Sequence, residues 1–322
     1  YVFNGYSSGM QVLTIDDSGV GAGIANFTLS NFTADANNLW QFDGFYNATG
    51  GVASLVAHPG HNLTQIDSTV NTPVLIGNIN GTSMSQIGVF QLTADVHNTT
   101  TMTLAAADVR VAAGQTITGT WIPAGTTVVS VSTTTVVMSQ AATSPSNTTI
   151  TATFSNNISV SGGVVVLHPY VFVYGNDGLI QNCSAGDPTD WVSADANANN
   201  VASGKIVKGL PVRGGSNSPS GLFWSLDSLI RVSYAPQSLG VAGSPNFAPA
   251  TFWRYDIISS QTSIMSSSSV VEYDGIYYWC GVDRFLLYNG VVKEIPNPMN
   301  QNWFFDNLNY NQRQKVWASK VP

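Results

Sequence analysis

The segment from Val270 to Ile295 constrains the fold of this chain more than any other part. Its sequence, VVEYDGIYYWCGVDRFLLYNGVVKEI, predicts four short strands joined by three tight turns. Two of the turns, Asp274-Gly275 and Asn289-Gly290, are dipeptides that tolerate the positive φ angles of two-residue hairpin turns. A four-stranded antiparallel meander of about 26 residues is the unit from which β-propeller blades are built. The segment therefore predicts a propeller-like sheet.

The composition favours strands throughout the 322 residues. The chain is 43% hydrophobic, enough for a sizeable core, but only 9% charged, against a usual fraction of about 25%. Glu occurs only at Glu272 and Glu294. Strong helix formers are scarce, whereas the β-branched and aromatic residues typical of strands are plentiful. We therefore predict an all-β protein that contains β-propeller-like, four-stranded antiparallel meanders.

Turn signals divide the chain into three parts. Residues 1–80 and 163–322 contain short apolar runs broken by turns, and we interpret them as two portions of one propeller-like domain. Residues 81–162 nearly lack charge and alternate Thr, Val, Ala and Ser, a pattern typical of a small β-sandwich with one wet face. We interpret this part as a Thr-rich sandwich inserted into the larger domain. The alternative is that it belongs to the same series of sheets.

Individual segments carry the same signals. The predicted strands include Gly9–Ile15, Gly21–Leu29, Val52–His58, Pro73–Ile76, Thr148–Phe154, Val164–Leu167, Tyr170–Tyr174, Leu179–Cys183 and Lys205–Arg213. A hairpin is predicted over Leu222–Tyr234 and the only appreciable helix around Asn309–Val316. The segment Trp40–Tyr46 repeats the order seen at Tyr273–Trp279, in which an Asp-Gly step follows a strand and precedes aromatic residues.

Charge is unevenly distributed. Residues 1–204 contain eleven Asp and a single base, Arg110, which gives −10, whereas residues 205–322 contain ten bases and seven acids, which gives +3. Tight nucleic-acid binding requires clustered Lys and Arg to neutralise phosphates. The distribution therefore argues against sequence-specific DNA or RNA binding, although a duplex could pass through an acidic lumen without adhering.

Histidines and carboxylates offer only weak signals for chemistry. The four histidines are His58, His61, His97 and His168. The pair His58-Pro-Gly-His61 resembles a metal pair but lacks a third ligand, so we favour a turn with two exposed imidazoles. The nearest carboxylate pairs, which glycoside hydrolysis would need, are Asp16-Asp17, Asp187 with Asp190, and Asp274 with Asp283. Asp in turns commonly binds its own backbone.

Two further patterns have a structural and a functional interpretation. Ser184–Trp191 faintly resembles the Asp-box of sialidase propellers but departs from it in register, so we favour an ordinary turn packed by Trp191. Aromatic residues alternate along predicted strands, which favours core over a sugar-binding platform. These aromatic residues are Phe223, Trp224, Phe252, Trp253, Tyr277, Tyr278 and Trp279. We assign no catalytic, cofactor-binding or metal-ligating residue and predict no enzyme and no cofactor.

The cysteines and the apolar runs bear on the compartment. Cys183 and Cys280 lie 97 positions apart in predicted strands, and we favour two buried thiols over a disulfide. No apolar run approaches the roughly 20 residues needed to cross a bilayer. We therefore predict no membrane span.

Four segments together resemble a known family. They are KIVKGLPVRGG and SGLFWSLDSLIRVSY, then FWRYDIISSQTSIMSSSSVVEYDGIYYWCGVDRFLLYNG and NWFFDNLNYNQRQKVWA. Over roughly residues 163–317, with weaker support from FDGFYNATGGVASLVAHPG at 42–60, the chain resembles the tail-hub or nozzle proteins of short-tailed bacteriophages, also called packaged-DNA stabilisation proteins. The Thr-rich part resembles β modules that decorate phage tail and capsid proteins.

The resemblance implies a structural virion protein of the phage tail, assembled in the host bacterial cytoplasm. It implies a homo-oligomeric ring, six-fold as in the family, around the DNA exit channel below the portal and the adaptor. Its expected partners are other copies of itself, the adaptor or head-tail connector, tail fibre or spike proteins, and double-stranded DNA that passes non-specifically during ejection. Sparse charge suits subunits that bury much surface, because burying unpaired charge is costly.

Two other function classes stay open from the sequence. A receptor-binding tail fibre or carbohydrate-binding module would display exposed Trp and Tyr side chains. A secreted propeller glycosidase would bring carboxylates together in one cavity.

Overall fold

Antiparallel strands dominate the computed structural model, which describes residues 2–6, 9–15, 21–28, 40–47, 52–58, 75–78, 84–212, 219–239, 248–296 and 298–321. Strands account for 52% of the residues and helix for 6%. The prediction of an all-β protein is therefore confirmed. No helix in these ranges is long and apolar enough to cross a membrane.

The first part of the chain forms two sheets whose strand order follows the chain. The first sheet contains β1 (Val2–Tyr6), β2 (Gly9–Ile15) and β3 (Gly21–Thr28). The second contains β4 (Gln41–Asn47), β5 (Val52–His58), β6 (Leu75–Asn78) and β7 (Met84–Gln86). Both are antiparallel meanders.

A six-stranded sheet comes next, within the predicted Thr-rich part. Its strands are β8 (Val89–Val96), β9 (Thr101–Leu104), β10 (Thr116–Thr118), β11 (Val128–Ser132), β12 (Thr135–Met138) and β13 (Thr148–Ser155). They lie in the order β10-β13-β8-β9-β12-β11. Ile117 N donates to Thr126 O (2.9 Å) and Val128 N to Gln115 O (2.8 Å), which joins the two outer strands. This part is one sheet curled around its own core, rather than two facing sheets.

Three more four-stranded meanders follow the six-stranded sheet. Together with the first two sheets they form the main series, whose five sheets are numbered in chain order. The third sheet of the main series contains β14 (Gly163–Leu167), β15 (Tyr170–Tyr174), β16 (Leu179–Asn182) and β17 (Asn197–Asn200). The fourth contains β18 (Ile206–Pro211), β19 (Ser220–Ser225), β20 (Leu229–Leu239) and β21 (Ala248–Ser259). The fifth contains β22 (Val270–Tyr273), β23 (Ile276–Cys280), β24 (Phe285–Tyr288) and β25 (Val292–Glu294).

The fifth sheet confirms the meander predicted from the segment that opened the sequence analysis. Its strands pair in chain order. At the first turn both Asp274 (φ 51°) and Gly275 (φ 73°) adopt positive φ, as a type I′ hairpin turn requires. Gly290 also has a positive φ, at 105°.

Consecutive sheets of the main series pack face to face through apolar side chains. Strand β15 shows how, because all five of its residues are buried. Val171 and Val173 point into the core shared with the second sheet. Tyr170, Phe172 and Tyr174 point the opposite way, into the core shared with the fourth sheet. The period-2 alternation of a strand thus supplies two cores at once.

The other junctions follow the same pattern. Leu222 and Trp224 of β19 pack with Tyr277 and Trp279 of β23, in the core between the fourth and fifth sheets. Met10 and Val12 of β2 pack with Leu55 and Ala57 of β5, between the first and second sheets. The six-stranded sheet has a separate core of its own.

Two local predictions from the sequence are wrong. The Asp43-Gly44 step does not follow a strand as Asp274-Gly275 does but lies inside β4, where the Asp43 carboxylate accepts from Val166 N of the neighbouring β14 (2.8 Å). The α-helix is α1 (Pro298–Asn307), not a helix around Asn309–Val316. The predicted position holds a short 3-10 helix, Tyr310–Lys315, whose preceding Asn309 side chain accepts from Asn311 N.

The hairpin turn of the fifth sheet gives a test of local conformation. Gly275→Ala should destabilise the protein by about 1–2 kcal/mol, because an L residue is strained in the left-handed region. A Cβ at this position meets nothing within 4 Å, so steric overlap is not involved. Urea unfolding gives the change in the free energy of unfolding.

Gly44→Ala is the matched control, since a Cβ there also meets nothing within 4 Å but the φ angle is not in the left-handed region. Gly44→Ala should not lower the free energy of unfolding, because Gly is itself unfavourable inside a strand. Equal losses for the two variants would contradict the conformational explanation.

Candidate functional site

The first strands of three neighbouring sheets lie side by side. Strand β14 contacts both β4 and β18, and we call these three strands the first-strand row. Each is the leading strand of its meander, so one edge of it has no partner within its own sheet. Unpaired edges expose backbone N–H and C=O groups that must be satisfied or covered.

Two polar side chains of β4 cover the free edge of β14. The Asp43 carboxylate accepts from Val166 N (Oδ2, 2.8 Å). Gln41 accepts from Val164 N (Oε1, 3.4 Å) and donates to Gly162 O (Nε2, 3.2 Å). The contacts hold the second sheet against the third in one register. They also satisfy edge groups without extending either sheet.

The same row contains charges of opposite sign. Burial raises the pKa of Asp43, although hydrogen bonds from Val166 N and Gly44 N and the charge of Lys208 act against that rise. Burial lowers the pKa of Lys208, on β18, and the negative charge of Asp43 partly offsets the change. The two groups therefore stabilise each other's charged forms across the row.

The histidines are not assembled into a site in the described residues. His58 is the last residue of β5 and is buried, so the prediction of an exposed imidazole is wrong for it. The strand ends at His58, as predicted, and His58 pairs in register with Gln41. His61 lies outside the described residues. His97 and His168 are exposed, and no group of three or more metal-ligating side chains occurs in the described ranges.

The candidate carboxylates bind nearby donors. Asp187 Oδ1 accepts from Thr189 N (2.9 Å) and Thr189 Oγ1 (2.6 Å). Asp190 accepts from Val192 N and Ser193 N (2.9 and 3.0 Å). Trp191 packs against the core beside this loop and donates to Pro188 O. Ser184–Trp191 thus forms a loop whose carboxylates bind their own neighbours, with Trp191 packed beside it.

Asp274 and Asp283 do not form a site either. Asp274 occupies the hairpin turn of the fifth sheet. Asp283 receives two hydrogen bonds from Arg284 (2.9 and 2.7 Å), which hold its pKa below the ordinary value. Asp16-Asp17 lies outside the described residues.

Most of the aromatic candidates are core, as predicted. Phe223, Trp224, Trp253, Tyr277 and Trp279 are buried. Phe252 and Tyr278 are half-buried.

A polar junction that the sequence did not reveal fixes the six-stranded sheet to the third sheet. Arg110 forms an ion pair with Asp108 (2.6 Å), lies over the Phe90 ring and donates to Thr189 Oγ1 (2.8 Å). Asn156 Nδ2 donates to Gly88 O and Thr189 O. The only signal in the sequence was that Arg110 is the sole base before residue 205. A cavity of about 370 Å³ lies beside this junction.

An apolar groove of about 390 Å³ lies between the fifth sheet and the C-terminal segment. Val271, Tyr278, Phe285, Phe304 and Trp317 are among its lining residues. Trp317 itself is 68% exposed, so the groove has an aromatic rim open to solvent.

Comparison with known proteins assigns no family. No protein-family model matches the chain, and no curated protein matches it. The family resemblance stays a prediction carried by the motifs quoted above.

The two thiols give a first test. Cys183 Sγ accepts from Val171 N (3.1 Å), and both cysteines are buried and free, as predicted. Burial raises the pKa of each thiol to about 12. Because the thiolate is the reactive form, a thiol-specific disulfide reagent at pH 8 should label neither cysteine in the folded protein and both after unfolding. Rapid labelling of a native thiol would contradict the burial.

The pH dependence of stability tests the first-strand row. The pKa of Asp43 is higher in the folded than in the unfolded chain, so its contribution to stability falls as pH rises between those two values. Asp43→Asn cannot titrate. The free energy of unfolding of the wild type minus that of D43N should therefore fall as pH rises from about 4.

Asp108→Asn is the control of opposite sign. The hydrogen bonds of Arg110 lower the pKa of Asp108, so its contribution is present above the unfolded pKa and is lost as pH falls. The wild type minus D108N difference should therefore rise with pH. The same slope for both variants would contradict the assignment of Asp43.

Proposed function

We propose that this chain is a structural virion protein of a tailed bacteriophage, a tail-hub or nozzle subunit of a ring around the DNA exit channel. The observation that carries the proposal is the series of four-stranded meanders stacked face to face, with the leading strands of three of them side by side. In the proposal these sheets are blades of a propeller-like domain, and the six-stranded sheet is an inserted module that takes the place of the expected sandwich.

The proposed mechanism is mechanical. Sheets buried on both faces resist deformation, since close-packed interiors have low compressibility. The first-strand row would form the buried centre of each subunit, because leading strands lie nearest the axis of a propeller and every residue of β14 is buried. Polar side chains there satisfy the edge of β14, which holds the second and third sheets in one register.

Charge supports the same role. Residues 1–204 carry −10, and a surface of this sign repels phosphates instead of releasing counterions from them. DNA would therefore slide past without being retained by this part of the protein. The six-stranded sheet and the outer loops would contact the adaptor and the fibre or spike proteins. The protein would be assembled in the host cytoplasm and reside in the virion.

One observation favours a second candidate, a receptor-binding fibre or carbohydrate-binding module. Trp121, Trp303 and Trp317 are 45%, 70% and 68% exposed. Exposed indole rings stack on sugars, and they are also typical of protein interfaces. Binding of the protein to host-cell polysaccharide, lost on removal of these rings, would support this candidate.

Native mass spectrometry tests the proposal. The protein should form a discrete assembly, expected to contain six copies of the 34.1 kDa chain. Purified particles of the phage that encodes the protein should contain this chain in a fixed copy number. In a gel-shift assay at physiological salt the assembly should not retain duplex DNA. A monomer under every condition, absent from virions, would contradict the proposal.

A further inference from the structure

A cavity of about 370 Å³ lies where the six-stranded sheet meets the third sheet, and we call it the junction cavity. Residues 112–115, which precede β10, and residues 156–158, which follow β13, supply part of its lining. Gln181 of β16, Trp191 of the following loop and Asn197 of β17 belong to the part that the third sheet supplies. Pockets of about 300–1,000 Å³ are typical of small-ligand sites, and they often occur between packed units. The junction cavity therefore has the size and the place of a small-ligand site.

The lining of the cavity is uncharged and rich in carboxamides. Among the described residues that line it none is charged, whereas five are Asn or Gln. Those five are Gln115, Asn156, Asn157, Gln181 and Asn197. A carboxamide offers two N–H donors and one carbonyl acceptor. Such groups match the hydroxyls of a neutral ligand, because a hydroxyl also both donates and accepts.

The charged side chains of the segments around the cavity are bound to other groups of the protein. Arg110 forms its ion pair with Asp108. Asp187 and Asp190 accept from donors of their own loop. Asp195 accepts from a hydroxyl and a backbone N–H (2.8 and 2.9 Å). A charged ligand would lose its hydration here without gaining a counter-charge, which is costly.

Trp191 gives the cavity an apolar surface that is fixed in orientation. Its ring is half-buried and packs against the core shared by the second and third sheets. Its Nε1 donates to Pro188 O (2.9 Å), so the polar edge of the ring is already satisfied. Ile158 packs against the same core and also lines the cavity. The face of a sugar ring is apolar and packs against an indole, while the hydroxyls at its rim stay available for hydrogen bonds.

Two of the carboxamides hold the lining in place. Gln115 is buried, and its Nε2 donates to Arg110 O (2.6 Å) and Asn156 Oδ1 (2.8 Å). Asn156 Nδ2 in turn donates to Gly88 O and Thr189 O. The cavity is thus formed before a ligand arrives, which reduces the conformational entropy lost on binding.

Two other carboxamides keep hydrogen-bonding capacity for a ligand. The Asn157 side chain is exposed and forms no hydrogen bond with the described residues. Gln181 Oε1 accepts from Ser159 N (3.0 Å), and its Nε2 donates to none of the described residues. A few placed polar groups beside an apolar surface are what fixes the orientation of a ligand in a pocket.

We infer that the junction cavity binds a neutral saccharide. Trp191 packs against one face of a sugar ring, and Asn157 and Gln181 bind its hydroxyls. The inference goes beyond the proposed function, since neither a ring nor its wall requires a sugar. It also places sugar binding away from the three exposed tryptophans of the second candidate function, none of which lines this cavity.

Saturation-transfer difference NMR of the full chain tests the inference. The probes are glucose, galactose, N-acetylglucosamine and their β-linked disaccharides, with glucuronate and galacturonate as charged counterparts. At least one neutral sugar should bind with a dissociation constant of about 1 mM or less, because ligands of this size gain little free energy in total. Each uronate should bind at least about 10-fold more weakly than the neutral sugar it matches, because the cavity supplies no counter-charge.

Asn157→Ala is the first variant. It should weaken the binding of that sugar about 3- to 10-fold, as the loss of one hydrogen bond does. Asn98→Ala is its matched control, because Asn98 is also exposed but does not line the cavity. The control should bind the sugar with wild-type affinity.

Trp191→Ala is the second variant and should remove detectable binding, because the ring supplies the apolar contact. Trp121→Ala is its matched control, since Trp121 is 45% exposed and does not line the cavity. The unfolding midpoint shows whether Trp191→Ala folds. If it does not, Asn157→Ala decides the test, because the Asn157 side chain is exposed and its removal breaks no hydrogen bond within the described residues.

The outcomes separate this inference from the proposed function. Failure of every neutral sugar to bind, or wild-type affinity in Asn157→Ala, would overturn the inference and leave the ring untouched. Uronates that bind as tightly as neutral sugars would also overturn it. Binding that is lost on removal of Trp121, Trp303 and Trp317 but kept in Trp191→Ala would overturn it in favour of the second candidate function. A protein that stays monomeric yet binds sugar through Asn157 and Trp191 would support the inference and contradict the ring.

Discussion

Burial of apolar side chains between consecutive sheets is the interaction on which the rest of this structure depends. An isolated four-stranded meander has two faces to cover, and here neighbouring sheets cover both faces of the third sheet. Full burial of a large apolar side chain stabilises by about 1.5–3 kcal/mol. The core between the third and fourth sheets alone includes Phe172, Tyr174, Phe223 and Trp253. The same stacking places the leading strands β4, β14 and β18 side by side, in the arrangement on which the proposed function rests.

Polar contacts then determine how the sheets meet. Apolar packing is non-directional, so it fixes burial better than register. Asp43 and Gln41 bind individual N–H groups of β14, and each bond is satisfied in one alignment only. Arg110 and Asn156 donate to the hydroxyl and carbonyl oxygens of Thr189, where the six-stranded sheet meets the loop after β16.

The sequence predicted what local chemistry determines. Asp274-Gly275 located a hairpin because two positive φ angles need those residues, and the short apolar run Tyr170–Tyr174 predicted a strand. The sequence could not predict features set by distant contacts. Asp43-Gly44 looks like a turn until Val166 is known to lie beside it. His58 looks exposed next to Pro-Gly, yet it lies at the buried end of β5. The junction at Arg110 joins residues 79 positions apart, a separation without a local signal.

In the proposed function the stacked sheets form the wall of a ring. A cryo-electron microscopy map of the native assembly tests that claim most directly. We expect a closed ring of identical copies in which the stacked sheets of every copy form the wall of a central channel. A particle that stays monomeric, or an assembly without a central channel, would contradict the proposed function.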